Sequence, residues 1–148
     1  MKINQILNSQ NTLNNAQADS KKSVLELISK LIAKNLTTIP YEQILECLIN
    51  REKLGSTGIG HGVAIPHGRL KNLSLPIAAF VHLKQAIDFQ ADDNQKVDLF
   101  FALLVPEQVE NTHLEILAEI AEKFSHQDFR NQLRQAQDDA ELYQLVTS

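Results

Sequence analysis

The sequence is poor in the features that mark several common functions. It has one cysteine, Cys47, no tryptophan, and a formal net charge of −4 over 148 residues. A single cysteine excludes an internal disulfide framework and a paired-cysteine metal or redox site, and it favours a reducing compartment. The charge lacks the surplus of Lys and Arg that contacts with a phosphate backbone need. We therefore do not expect nucleic acid as a partner.

Long hydrophobic runs are also missing. The longest wholly apolar run, residues 99–105, is far too short to cross a bilayer, and the first ten residues contain no apolar signal core. We expect a cytoplasmic protein without membrane insertion. A length of 148 residues with 43% hydrophobic content fits one compact domain, residues 1–148, with a core over about residues 2–146.

Hydrophobic periodicity predicts alternating helices and strands. Apolar residues recur at helical spacing in residues 24–32, 41–49 and 114–124, and two nearly continuous apolar runs, 75–83 and 97–105, predict strands covered on both faces. Shorter helices are predicted to start near Ser125 and near Asp138 or Asp139, and the polar residues 8–22 could form a tail or a short strand. The pattern indicates an α/β or α+β fold with helices on both faces of a small sheet.

All five glycines lie in one segment, "GSTGIGHGVAIPHG", residues 55–68. It lacks the Lys followed by Ser or Thr of a nucleotide phosphate loop, and its glycine spacing is not that of a dinucleotide-binding turn. Residues 63–65 predict a short strand that ends at Pro66 and presents His67 on a turn. Glycines on both sides leave the imidazole open and let backbone N–H groups face an anion.

That environment suits a nucleophilic histidine. If a backbone carbonyl or a carboxylate holds one ring N–H of His67, the other nitrogen is fixed as the attacking atom. It could then accept a phosphoryl group, provided that nearby cations balance the charge. Arg51, Arg69 and His113 are the candidates for that role. From spacing alone, a structural or merely exposed His67 remains the alternative.

Several motifs in the same order resemble one family. "RE" at 51–52, "STGIGHGVAIPHGRL" from Ser56, "AIDF" at 86–89, "VDLFFALLVP" at 97–106 and "HLEILAEIA" at 113–121 resemble the fructose/mannitol-type enzyme IIA family of the phosphoenolpyruvate-dependent phosphotransferase system. The likeness is greatest to its nitrogen-regulatory branch, enzyme IIA-Ntr. It implies the mannitol-type enzyme IIA fold, a mixed β-sheet flanked by helices, and a phosphoryl carrier that uses neither cofactor nor metal. It further implies that His67 becomes a tele-phosphohistidine, with His113 and Arg51 beside it.

The resemblance also implies partners. An HPr-like carrier, NPr, charged by a nitrogen-type enzyme I, would donate the phosphoryl group. The phosphorylation state would then regulate proteins of nitrogen metabolism and potassium homeostasis, such as potassium transport proteins or sensor kinases. For docking, an apolar rim around the site is expected, with Ile59, Val63 and Ile65 as candidates.

Two other functions are considered. A sugar-specific enzyme IIA would keep the same chemistry and pass the phosphoryl group to an enzyme IIB. A metal hydrolase would use His61, His67 and His113 as ligands, but the sequence has no HExxH helix and no carboxylate cluster of recognisable ligand spacing.

The remaining candidates are expected to be structural. His61 either lines the site or faces solvent as a bystander. His82 is predicted to be a satisfied sheet residue, His126 to lie on the surface, and Cys47 to pack rather than react.

Overall fold

The computed structural model describes residues 2–108 and 112–148. In those residues a 3-10 turn, Ser9–Asn11, separates the first helix from the first strand. The helices are α1 (Ile3–Ile6), α2 (Lys21–Ala33), α3 (Tyr41–Glu52), α4 (Thr112–Phe124), α5 (Gln127–Arg134) and α6 (Asp139–Thr147). The strands are β1 (Thr12–Ala16), β2 (Gly58–Gly60), β3 (Val63–Ala64), β4 (His67–Leu70), β5 (Ile77–Ile87) and β6 (Val97–Pro106).

These strands form one mixed sheet in the order β1-β5-β6-β3-β2. β5 and β6 are antiparallel, as are β2 and β3, whereas β1 runs parallel to β5. β3 and β4 both pair in parallel with β6, β3 at Leu99 and Phe100 and β4 from Leu103 to Pro106. β3 and β4 therefore pair with successive parts of β6, and residues 65–66, which include Pro66, connect them.

Helices cover both faces of the sheet, as predicted. α2 and α3 pack on one face, with alternate β6 residues Phe100, Ala102 and Leu104 in the same cluster. α1, α4, α5 and α6 pack on the other face with the intervening residues of β6. Since β6 is covered on both sides, its nearly continuous apolar run is explained. None of the helices in the described ranges is both long enough and apolar enough to cross a membrane.

The sequence predicts that α2 starts at Asp19 or Ser20, α3 at Pro40, α5 at Ser125 and α6 at Asp138 or Asp139, and the structure contradicts only the start at Ser125. The predicted caps of α4 are Asn111, which lies outside the described residues, and Thr112, the first residue of that helix. Ser20 caps α2 by accepting from the Ser23 N–H, Pro40 precedes α3, and Asp138 caps α6. α5 begins at Gln127, after His126, without a side-chain cap. Ser125 was expected to cap α5, but its hydroxyl donates to the Glu122 carbonyl at 2.6 Å and so closes the end of α4.

The helical spacing predicts a core stripe on α4 made of Leu114, Leu117, Ala118, Ala121 and Phe124, but the structure displaces it. Ile116, Ile120 and Phe124 are the buried residues of this helix, whereas Leu114 is 57% exposed. Leu117 and Ala121 pack only partly against the core. The helix is therefore rotated relative to the expected stripe, and Leu114 is left at the surface.

The polar residues near the amino terminus form a buried edge strand rather than a tail. Asn11 and Asn14 are buried, yet their side-chain amides donate to the carbonyls of Ala78 at 3.2 Å and Ala136 at 2.8 Å. Because each buried amide has a partner, β1 can pair with β5 in spite of its polar composition.

Candidate phosphoryl-transfer site

His67 is the first residue of β4 and directly follows Pro66, so it begins a strand rather than lying on a turn as expected. Its half-buried ring places Nδ1 2.7 Å from the carbonyl oxygen of Ile65. A carbonyl oxygen only accepts, so this contact requires the ring hydrogen to be on Nδ1. The lone pair of the neutral ring is then on Nε2.

Gly68 lets β4 approach helix α3 closely. A Cβ atom built on Gly68 would lie 2.6 Å from Sγ of Cys47, which itself lies 3.2 Å from the Arg69 carbonyl oxygen. Burial raises the pKa of the Cys47 thiol, which disfavours the reactive thiolate. Cys47 therefore packs beneath the histidine strand, in agreement with the prediction that it packs rather than reacts.

The close contact between Gly68 and Cys47 predicts how substitutions change the free energy of unfolding. Gly68→Ala should destabilise the fold by about 1–3 kcal/mol because the new methyl group overlaps the Cys47 sulfur. Cys47→Ala removes that sulfur, so the double variant should recover most of the loss. Urea unfolding of the two single variants and the double variant measures the coupling. If the effects simply add, to within about 0.5 kcal/mol, the close packing is not the cause.

The predicted site residues line a single cleft. Its volume is about 570 Å³, and His67, Arg51, Arg69 and His113 all contribute to its wall. Arg51, in the last turn of α3, donates from Nη1 to the Gly55 carbonyl at 2.9 Å. The two arginines are fixed positive charges, so the cleft suits an anion.

Two of the candidates for charge balance also meet each other. Nη2 of Arg69, on β4, is 3.4 Å from Nε2 of His113 in the first turn of α4. A guanidinium only donates, so in this contact Nε2 of His113 accepts. Arg69 is two residues beyond His67 on the same strand and therefore projects to the same face of the sheet.

The pKa of His67 is lower than that of an ordinary histidine. Burial is the largest cause, since it disfavours the charged ring, and the electrostatic influence of Arg51 and of His113 acts in the same direction. The hydrogen bond to Ile65 and the negative charge of Glu52 act in the opposite direction and are outweighed. The site therefore favours the neutral imidazole, which is the nucleophilic form.

The direction of this shift can be measured. Because its pKa is lowered, His67 is still mostly neutral when the pH has fallen to 6.5, the ordinary pKa of histidine. We expect an NMR titration of the ring, assigned through the signals lost in His67→Ala, to have its midpoint below pH 6.5. A midpoint at or above that value would contradict the electrostatics of the cleft.

His61 lies apart from this cleft. It occupies the turn between β2 and β3 with a φ of 58°, is exposed, and lines a different cavity together with Asp98 and Arg134. Its carbonyl accepts from Arg134 Nη2 at 2.7 Å. The described ranges contain no group of three or more His, Cys, Asp or Glu residues that could hold a metal ion. The metal-hydrolase hypothesis, which needs His61 with His67 and His113, gains no support.

The other two histidines have the environments predicted for them. His82 is buried in β5, with Nδ1 2.8 Å from the Asn14 amide oxygen and Nε2 3.7 Å from the Asp98 carboxylate. Burial raises the pKa of Asp98, but the interactions with His82 and with the Arg134 guanidinium outweigh this and hold the pKa below its ordinary value. His126 is exposed and lies 3.0 Å from Glu122.

The predicted apolar rim is wrong for all three of its residues. Val63, in β3, and Ile65, directly after it, are 1% and 4% exposed because both pack in the core against the helices of one face of the sheet. Ile59 is 43% exposed but does not line the cleft. The exposed apolar residues that do line it are Leu54 and Leu114. Leu54 could have been found from the sequence because it is an isolated leucine in the polar segment "REKLGS". Leu114 could not, because its helical spacing is that of a core residue.

This fold and cleft define a class of protein, the histidine-containing enzyme IIA components of a phosphotransferase system. The family model described as phosphoenolpyruvate-dependent sugar phosphotransferase system, EIIA 2, matches residues 5–148. The chain belongs to that family.

Within it the chain is similar to nitrogen regulatory proteins. It is 46% identical over 146 residues to the nitrogen regulatory protein of Pseudomonas aeruginosa, covering 99% of this chain and 95% of the relative. The crystal structure of nitrogen regulatory protein IIA-Ntr from Neisseria meningitidis superposes with a TM-score of 0.92 and 36% identity over 98% of this chain and 99% of that one. IIA mannitol from Escherichia coli, at 18% identity, shares the fold with a TM-score of 0.78, covering 94% of this chain and 97% of that chain. The predicted mannitol-type fold and nitrogen-regulatory branch are confirmed.

Proposed function

We propose that the chain accepts a phosphoryl group on Nε2 of His67 from the phosphohistidine of an HPr-like carrier, NPr. The observation that carries this proposal is the 2.7 Å contact between Nδ1 of His67 and the Ile65 carbonyl. It leaves one nucleophilic nitrogen on the ring, beside two guanidinium groups in the same cleft. The transfer of a phosphoryl group requires both a positioned nucleophile and fixed positive charge.

The transfer is an in-line displacement. The Nε2 lone pair of His67 forms a bond to phosphorus while the donor's N–P bond breaks and the donor imidazole keeps that electron pair. The His67 ring becomes positively charged, because Nδ1 retains its hydrogen, and the Ile65 carbonyl that accepts this hydrogen stabilises the charge. Arg51 and Arg69, with His113, stabilise the phosphoryl oxygens. The step requires neither a cofactor nor a metal.

Docking of the donor would use the rim of the cleft. Leu54 and Leu114 are 84% and 57% exposed, and both line the cleft that contains His67. Apolar contacts surrounded by charge are typical of the centre of a protein interface. A partner seated there would cover the cleft and exclude water from the transferring group.

The proposed downstream role is supported by the names of the relatives. Similarity to proteins named nitrogen regulatory protein supports a regulator whose phosphorylation state controls its binding to other proteins. Potassium transport proteins and sensor kinases are the targets we propose, with the chain acting as a single cytoplasmic domain over residues 1–148. A nitrogen-type enzyme I would charge NPr.

A sugar-specific enzyme IIA is the second candidate. The description of the matching family names a sugar phosphotransferase system, and the chemistry at His67 would be the same. The two functions differ in the acceptor, since a sugar-type protein passes its phosphoryl group to an enzyme IIB.

The deciding experiment supplies phosphoenolpyruvate, nitrogen-type enzyme I and NPr to the purified protein. We expect acid-labile phosphate in the intact mass, mapped to the peptide that contains His67. A fructose-type enzyme IIB is then added, and retention of the label favours the regulator whereas its loss favours the sugar carrier. No label on the protein, with NPr shown to be charged, would refute the proposed transfer.

A further inference from the structure

Glu52, the last residue of α3, has a buried carboxylate that the mechanism above does not use. Its side chain is only 5% exposed. Burying a carboxylate is costly unless charge and hydrogen bonds compensate for the lost water. Here Lys21 Nζ lies 2.9 Å from Oε1, the Thr57 backbone N–H donates to Oε1 at 3.3 Å, and the Thr57 hydroxyl donates to Oε2. The carboxylate is thus fully engaged, and most of its partners come from Thr57.

From Thr57 a chain of hydrogen bonds leads to the phosphoryl acceptor. The Thr57 carbonyl accepts from the Ile65 N–H at 3.0 Å. The Ile65 carbonyl in turn accepts from Nδ1 of His67 at 2.7 Å. The position of Ile65, which determines the tautomer and orientation of His67, therefore depends on the position of Thr57, and Glu52 fixes Thr57 to the end of α3.

The same carboxylate fixes the loop that holds Arg51. Residues 53–57 leave α3 and return to it at Thr57, where Glu52 binds them. Within this loop the Gly55 carbonyl accepts from Arg51 Nη1 at 2.9 Å. Both the nucleophile and a principal cation of the cleft are therefore anchored through one buried group.

We propose that Glu52 is a positioning residue for the phosphoryl transfer, acting through Thr57 on the ring of His67 and on the loop that orients Arg51. This inference rests on the proposed function for its catalytic meaning. The position of the ring itself can be measured without any phosphoryl donor, so the two can be tested separately.

Glu52 has an electrostatic effect as well as a geometric one. Its negative charge favours the protonated His67 ring, whereas burial, Arg51 and His113 lower the pKa of that ring. A glutamine at this position would keep the shape, since its amide can accept from the Thr57 N–H and donate to the Thr57 hydroxyl, but it would remove the charge. An alanine would remove both contributions.

The first test uses ¹⁵N NMR of the histidine rings in the unphosphorylated protein. In the wild type we expect His67 to carry its hydrogen on Nδ1. Glu52→Gln should keep that tautomer. It should lower the pKa of His67 below its wild-type value, because the negative charge of Glu52, which raises that pKa, has been removed. Glu52→Ala should give a mixture of tautomers. Glu42→Gln, which removes an exposed carboxylate from the same helix, should leave both properties unchanged.

The second test measures the rate of transfer from charged NPr. Glu52→Ala should slow it by about ten- to a hundredfold, since a displacement of about 1 Å in a reacting group can have effects of this size. If Glu52→Ala fails to fold, Thr57→Val, which removes only the hydroxyl donor, takes its place with a smaller effect in the same direction.

The outcomes separate the two proposals. If the Glu52 and Thr57 variants match Glu42→Gln in tautomer, pKa and rate, the positioning role is refuted. If the wild type takes no phosphoryl group but its His67 tautomer still responds to Glu52→Ala, the proposed function fails while the positioning of the ring by Glu52 is supported.

Discussion

His67→Ala should abolish acid-labile phosphorylation of the protein. The variant lacks the ring whose Nδ1 the Ile65 carbonyl holds in the cleft with Arg51 and Arg69. The loss should be complete rather than partial, because a covalent phosphoryl intermediate requires its nucleophile. The measurement is the intact mass after incubation with phosphoenolpyruvate, nitrogen-type enzyme I and NPr.

His61→Ala is the matched control for this loss. His61 is in the same glycine segment, but its side chain is exposed and lines a different cavity from His67. Its bond to Arg134 is made by the backbone carbonyl, so the substitution leaves that bond in place. We expect full phosphorylation of this variant. Phosphate that persists on His67→Ala and maps to the peptide with His113 would show that the acceptor has been misassigned.

Much of the site could be predicted from the sequence because its chemistry depends on residue types. A histidine between Pro66 and Gly68, with arginines nearby, is recognisable in the sequence. The anchoring of His67 was foreseen only as a choice between a carboxylate and a carbonyl. In the structure Ile65 supplies that carbonyl, and every residue type has one, so no sequence pattern could have selected it.

The contribution of Glu52 was hidden for the same reason. Its connection to His67 passes through Thr57 and Ile65, partly by backbone groups, and through chain segments that are adjacent only after folding. Likewise the small size of Gly68 was interpreted as freedom for the backbone, whereas the structure uses it for close contact with Cys47.

The wrong predictions of burial concern apolar residues whose pattern fits both a core position and a binding surface. Leu114 has the spacing of a core residue but is exposed at the cleft, while Val63 and Ile65 were expected at an apolar rim and are buried. The sequence does not distinguish an apolar residue of the core from one that is exposed at a binding surface. The polar β1 was ambiguous for the opposite reason, since Asn11 and Asn14 can be buried only because distant carbonyls satisfy them.

Arg51→Gln should slow phosphoryl transfer to His67 by about a hundredfold or more. Removing one preorganised donor from a site that stabilises developing charge typically costs about 10²–10³ in rate. Arg51 is oriented by the Gly55 carbonyl, so little reorganisation is needed when the phosphoryl group arrives. Arg51→Lys should recover only part of the rate, since an ammonium keeps the charge but not the planar arrangement of donors that can bind Gly55 and phosphate together.

A second readout distinguishes this role from a loss of general positive charge. Arg51 lowers the pKa of His67, so Arg51→Gln should raise it, and rates should therefore be compared at a pH where the ring is neutral in every variant. Lys53→Gln removes a neighbouring exposed cation that does not line the cleft. We expect it to change the rate little, because exposed charges are largely screened by salt. Equal slowing in Arg51→Gln and Lys53→Gln would mean that Arg51 acts only through the overall field of the protein, and the specific contact with the phosphoryl group would have to be abandoned.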